Sequence, residues 1–145
     1  MMAISTKGRY SVRILVLMAS RPEGQMFTKN EIAEAEGISP SYVQQLMMIL
    51  RAAGFVNSHR GNVGGFTLAG DPRATTVADV LRASEGQIQL APCLGTEKCE
   101  REPGCTTRAL WMEAGELLDG LFGGVTIADL VARGAERPLR VPAES

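Results

Sequence analysis

The sequence predicts a mainly α fold: a winged helix-turn-helix with a small β-hairpin wing, followed by a long C-terminal dimerisation helix. Three observations predict it. Two short helical segments meet across Gly37-Ile38-Ser39. Two strand-like runs, Phe55–Ser58 and Phe66–Leu68, follow directly, with Gly61, Gly64 and Gly65 between them. Leu110, Ala114, Leu117, Leu118 and Leu121 then recur at the spacing of one helix face.

The first helix is expected over residues 6–20, where Tyr10, Ile14, Leu17 and Met18 repeat at helical spacing. Arg21-Pro22-Glu23-Gly24 stops it, because Pro and Gly both break helices. Thr28 and Glu31 stand at capping-box spacing and start a second helix, Lys29–Glu36, which Gly37 ends. Ser39 serves as N-cap and Pro40 as first residue of a third helix, expected to run to Ala53 and stop at Gly54. Val43, Leu46, Ile49, Leu50 and Ala53 form its inward face. Ser41, Tyr42, Gln44 and Gln45 crowd its early outer turns, where a recognition helix meets base edges. Gln pairs bidentately with adenine, and Ser or Tyr can reach bases or phosphates. A solvated polar face would read the same way.

The hairpin tip carries His59, Arg60 and Asn62. Arg60 is the first choice for a DNA contact there, since its planar fork suits phosphate and guanine and enters a narrow minor groove. His59, the only histidine, is either a solvent-exposed wing residue or a phosphate contact. It lies too far along the chain from the cysteines to suggest a metal ligand. Lys29, at the start of the second helix, joins the DNA-facing set. Thr76 and Asp79 cap a fourth helix, Val77 to about Ser84, which Gly86 ends.

Residues 1–86 therefore read as the winged helix-turn-helix DNA-binding domain, 87–106 as a cysteine-containing loop, and 107–133 as a dimerisation helix plus a short terminal helix capped by Thr126 and Asp129. Residues 134–145, with Pro138 and Pro142, read as a disordered tail. The long helix finds no obvious partner in so small a domain. The face of Leu110, Trp111, Ala114, Leu117, Leu118 and Leu121 thus suits a homodimer, with packing on its own winged helix as the alternative.

The chain has 145 residues with a formal net charge of −1. A pI of about 5.9 stands against DNA binding at first sight, since such domains often exceed about 9. The distribution answers this. Residues 1–75 hold eight basic and five acidic residues, whereas 76–145 hold seven and eleven. The half with the helix pair and wing is +3, and a dimer presents it twice. No apolar run reaches the roughly 18–20 residues of a membrane span. The stretch Ile14–Ala19 is short and continues into Ser20-Arg21-Pro22 without a cleavage site, so no targeting segment is expected and the location is cytoplasmic.

All three cysteines, Cys93, Cys99 and Cys105, lie in one thirteen-residue window with five residues between neighbours. Its two Pro, two Gly and many charges, counted from Ala91, predict a loop. Three thiols cannot all pair within one chain, and stable disulfides are rare in the cytosol. A loop that gathers thiolates suits a soft metal centre. Knuckle spacing for zinc is absent. An iron–sulfur cluster, redox-active thiols, and zinc or no metal all stay open on spacing alone. No catalytic Cys/His pair exists, so an enzyme is not expected.

This order of parts resembles the Rrf2 superfamily of bacterial winged-helix regulators, most closely its iron–sulfur cluster (IscR-like) regulators. The likeness covers about residues 2–133. It is carried by Ser5-Thr6-Lys7-Gly8-Arg9-Tyr10, by Ile38-Ser39-Pro40-Ser41-Tyr42-Val43-Gln44-Gln45-Leu46, by Arg60-Gly61-Asn62-Val63-Gly64-Gly65-Phe66, by the three cysteines and by Ala109-Leu110-Trp111. The resemblance implies a homodimer on a palindromic operator in double-stranded DNA. It makes Ser41, Tyr42, Gln45 and Arg60 DNA contacts with Gln44 beside them, and Cys93, Cys99 and Cys105 ligands of a 2Fe–2S or 4Fe–4S cluster. Two positions depart from the pattern. IscR-like chains place a histidine three residues after the last cysteine, and here that residue is Arg108; the aspartate that nitric-oxide-sensing (NsrR-like) relatives use near the N-terminus is here Arg9. A guanidinium is a poor iron ligand. Glu97, Glu100, Glu102, Glu113, water or a small thiol remain for the fourth place. Gln44 stands where IscR-like helices commonly carry glutamate, which removes a charge that repels phosphates.

Overall fold

Side-chain caps set most of the helix boundaries. In the computed structural model, which describes residues 3–62 and 64–136, the order is α1 (Thr6–Ala19), α2 (Lys29–Glu36), α3 (Pro40–Ala52), β1 (Val56–His59), β2 (Gly65–Leu68), α4 (Val77–Glu85), α5 (Arg108–Gly123) and α6 (Ile127–Glu136). A single 3₁₀ turn, Pro92–Leu94, lies between α4 and α5. Ser5 Oγ accepts the Gly8 N–H at 3.1 Å and starts α1. Thr28 and Glu31 close a full capping box: the Glu31 N–H donates to Thr28 Oγ1 at 3.1 Å, and the Thr28 N–H donates to the Glu31 carboxylate at 2.8 Å. Ser39 Oγ takes the Tyr42 N–H at 3.1 Å, with Pro40 in the first turn of α3. Thr76 with Asp79, and Thr126 with Asp129, repeat the reciprocal box at α4 and α6.

Gly37 joins α2 to α3 at φ 67°, a left-handed conformation that a side chain would strain. The helix pair thus follows from four residues: Thr28, Glu31, Gly37 and Ser39. Thr28→Ala is expected to lower global stability by about 1 kcal/mol, the usual worth of an N-cap side chain. A denaturant midpoint equal to that of the parent would show that the box does not stabilise the fold.

The sheet is one antiparallel pair, with Val56 opposite Leu68 and His59 opposite Gly65. Phe27, just before α2, extends it by one bridge, exchanging two 2.8 Å backbone hydrogen bonds with Phe66. A Cβ at position 65 would collide with the Phe27 carbonyl, so Gly65 is what lets the wing sit against the helix pair. The core gathers Ile14, Leu15 and Met18 from α1, Ile32 from α2, Val43, Leu46, Met47 and Leu50 from α3, Val56 and Phe66 from the hairpin, and Val80 from α4.

Several expectations are corrected. On α3 the buried stripe is Val43, Leu46, Met47 and Leu50. Met47 replaces Ala53, which is exposed because the helix ends at Ala52 and the chain turns away. β1 begins one residue later than expected and takes in His59. α6 does not belong with α5 alone: Ile127 is buried in the winged-helix core, and its N–H donates to the Thr75 carbonyl. The core therefore does not close at residue 86. α6 also runs through Gly134 to Glu136, so the predicted tail starts no earlier than 137; residues 137–145, with Pro138 and Pro142, lie outside the described residues, as does Val63 of the wing. Among the described residues no helix is long and apolar enough to cross a membrane.

Candidate nucleic-acid interface and cysteine loop

α3 turns Val43, Leu46, Met47 and Leu50 into the core, which leaves Ser41, Gln44 and Gln45 exposed on the opposite face. Tyr42 is half-buried. Its ring meets that of Tyr10 edge-to-face, with centroids 6.3 Å apart and planes at 84°. Arg13 lies with its guanidinium 5.8 Å from the Tyr10 centroid and bonds Glu36 through Nε at 2.6 Å. Glu36 is nearly covered, its side chain 8% exposed, so the Arg13 charge compensates a carboxylate held next to the α2–α3 turn. Tyr42 therefore braces α3 against α1.

Lys29 is exposed in the first turn of α2. Arg60 and Asn62 are exposed at the wing tip. Among the described residues neither Lys29 nor Arg60 pairs with a carboxylate, which leaves both cations available to an anionic partner. His59 is exposed on the wing, as expected, but belongs to the strand and not to the tip. It ends β1, and its Nε2 lies 2.8 Å from Thr67 Oγ1 on the opposite strand, so the ring laces the hairpin.

The cysteines lie in the segment between α4 and α5. Cys93 sits in the 3₁₀ turn, Cys99 in the irregular segment that follows and Cys105 just before α5; all three are free thiols and half-buried. Two backbone bonds step from one to the next: Glu102 N–H to Cys99 carbonyl, 3.1 Å, and Cys105 N–H to Glu102 carbonyl, 3.3 Å. Cys105 Sγ is 3.4 Å from Thr107 Oγ1. That hydrogen bond, then the backbone N–H groups of Thr107 and Arg108 and the Arg108 charge, hold the Cys105 thiol below the ordinary thiol range. Arg108 bonds Glu102 at 3.3 Å and reaches Met112 Sδ at 3.8 Å. It thus supports the thiolate as a neighbouring cation and offers no ligand.

Three half-buried thiols in one loop are soft donors of the kind that an iron–sulfur cluster takes. Their arrangement is more open than such a centre. Among the described residues no three His, Cys, Asp or Glu side chains converge on one point. Glu102, one of the carboxylates considered for the fourth place, is engaged by Arg108.

Directly after the loop, α5 exposes Leu110 (55%), Trp111, Leu117 (76%) and Leu121 (59%), with Ala114 and Leu118 half-buried. The helix does find a partner within the chain: α4, to which the Arg82–Asp119 bridge at 2.8 Å ties it. The exposed leucines lie outside that contact.

Comparison with known proteins converges on one group. The family described as "Rrf2: Iron-dependent Transcriptional regulator" matches residues 4–133. The chain is 35% identical over 130 residues to the HTH-type transcriptional regulator IscR of Klebsiella pneumoniae (strain 342), covering 90% of this chain and 80% of that protein. Among solved structures it is similar to CymR (YrzC), the global cysteine regulator of B. subtilis, with TM-score 0.77 and 32% identity over 92% of this chain and 98% of that one. It is also similar to T. potens IscR, with the same TM-score of 0.77 and 29% identity over 96% of this chain and 93% of that one.

Proposed function

The chain belongs to the Rrf2 family of transcriptional regulators, DNA-binding winged-helix proteins and not enzymes, and on that premise we propose that it is an iron–sulfur-dependent repressor working in the cytoplasm. Two copies pair through the exposed face of α5 and set two copies of α3 and the wing on a palindromic operator. Gln44, Gln45 and Ser41 face the bases, Tyr42 presents its edge, and Arg60, Lys29 and His59 meet the backbone or the adjacent groove. Cys93, Cys99 and Cys105 hold the cluster. Loss of the cluster, or its reaction with an oxidant or nitric oxide, frees the loop that leads into α5 and so changes the spacing of the two wings.

One observation carries this reading: three free, half-exposed thiols in a single loop that feeds directly into the helix with the exposed apolar face. Anaerobic purification followed by an absorption spectrum and iron and sulfide assays tests it. A coloured protein with iron and sulfide in equal amounts is expected. A protein that stays colourless and iron-free after reconstitution overturns the cluster.

A second reading has its own observation: Cys105 Sγ lies 3.4 Å from Thr107 Oγ1 at the start of α5, a contact that favours the thiolate and so its oxidation. In that case the chain works as its structural relative, the global cysteine regulator, is named, and the loop senses oxidation directly. Reversible loss of titratable thiol on peroxide treatment of an iron-free protein, with a change in DNA binding, would favour it.

For the DNA contacts, Arg60→Ala and Gln45→Ala are each expected to weaken operator binding on the order of tenfold, the worth of one good base or phosphate fork. Gel-shift titration reads this directly. Parental binding by both variants would remove α3 and the wing from the interface.

A further inference from the structure

We infer that Met48 reads a thymine methyl group in the major groove. The inference rests on the DNA-facing assignment of α3 and extends it to a residue of a different chemistry.

Met48 is the one large apolar side chain that α3 leaves in solvent, 64% exposed, while Val43, Leu46, Met47 and Leu50 are buried behind it. Its position on the helix is specific. Seven residues are close to two full turns, so Met48 lies about 20° around the axis from Ser41 and about 10 Å further along it. Gln45 and Gln44 precede it by three and four residues, one on each side of that line. Met48 thus stands on the midline of the face whose flanks are two base-reading amides.

An exposed methionine there adds nothing to the core, and water gains nothing from it. In the major groove the apolar feature of a base edge is the C5-methyl of thymine, and apolar side chains recognise thymine through it. Methionine is unbranched and polarizable and can reach past the shorter Ser41 turn to such a methyl. The glutamines and Met48 then divide the reading: the amides take the hydrogen-bonding edges, and the thioether takes a T·A pair further along the groove.

The test starts from a pool of random duplex DNA, from which the full-length protein selects its own sites before sequencing. The parent is expected to enrich a two-fold symmetric motif with one thymine per half-site whose preference disappears in Met48→Ser while the other positions persist. Met48→Leu, which keeps the apolar reach, is expected to retain it. In the selected duplex, uracil in place of that thymine deletes only the methyl. It is expected to weaken the parent by about three- to fivefold per half-site and to leave Met48→Ser unchanged. If Met48→Ser selects the parental motif, or uracil weakens both proteins alike, the assignment of Met48 is overturned while the DNA interface stands. If the parent enriches no motif, the interface reading itself fails and the Met48 assignment with it.

Discussion

Leu117→Asp combined with Leu121→Asp is expected to convert the protein from dimer to monomer and to cut operator affinity by at least a hundredfold. The two leucines are 76% and 59% exposed, so neither contributes much to the fold of the single chain. Asp in a helix interior costs at most about 0.7 kcal/mol relative to Ala. The helix should therefore survive, tied to α4 by Arg82 and Asp119. In the proposed homodimer each substitution buries a carboxylate in an apolar seam. Two chains place four such charges within one interface, and burying an unpaired charge costs several kcal/mol even after relaxation.

The loss of DNA binding follows from geometry rather than from contact. A dimer holds its two recognition helices about 34–36 Å apart, one turn of duplex. Once the first half-site is bound, the second binds as an intramolecular event. Separating the two sites forfeits an avidity of roughly 10²–10⁴ without touching any base contact. Sedimentation and gel-shift measurements on the same preparation separate the two effects. A variant that sediments as a dimer would move the interface off this face of α5. A monomer that binds the operator as tightly as the parent would remove the need for pairing.

The local signals were the most legible. Thr28 with Glu31, Thr76 with Asp79, Gly37 and Ser39-Pro40 each act within three or four residues, so their spacing alone places the helix starts and the α2–α3 turn. The apolar pattern of α3 points slightly off its buried stripe, toward Ile49 and Ala53 instead of Met47. An apolar pattern on a helix gives its stripe only to within a residue when Val, Leu, Met and Ile surround it on several sides. The neighbour of α6 is not legible in the sequence for a related reason. Its packing on α1 joins Ile127 to Ile14 and Leu15, more than a hundred residues earlier, and no local signal carries a contact of that separation. At the site, Ser41, Gln44, Gln45 and Arg60 lie where periodicity and the hairpin put them. His59 is laced to Thr67, and Tyr42 leans on Tyr10; cross-strand and interhelix partners such as these have no signature in spacing. Met48 carried a signal that was available, an apolar residue in phase with Ser41, but a methionine among methionines reads as core.

Cys99→Ala is expected to abolish iron and sulfide binding, and Arg108→Ala to leave both at the parental level. Three thiolates from one loop are the cluster ligands in the proposed scheme. With one removed, only two of the three thiolates remain, and the cluster has no firm anchor. Cys93→Ala and Cys105→Ala should behave alike, since all three are free and none is held in a disulfide. Arg108 is the opposite case. It occupies the position where a fourth ligand stands in IscR-like regulators, yet its guanidinium stays protonated and is held by Glu102. Its charge is the smallest of the influences on Cys105, whose thiolate is favoured first by the Thr107 hydroxyl and then by the backbone N–H groups of Thr107 and Arg108. Removing the larger support, with Thr107→Ala, should raise the thiol pKa toward its ordinary range, so that alkylation of the apo protein slows at neutral pH, while Arg108→Ala should slow it only slightly. Iron content and alkylation rate thus move separately. If Arg108→Ala empties the protein of iron, the Glu102–Arg108 pair is required to shape the loop. If Cys99→Ala keeps its full iron and sulfide, Cys99 is no ligand and the three-thiol cluster proposed here is wrong.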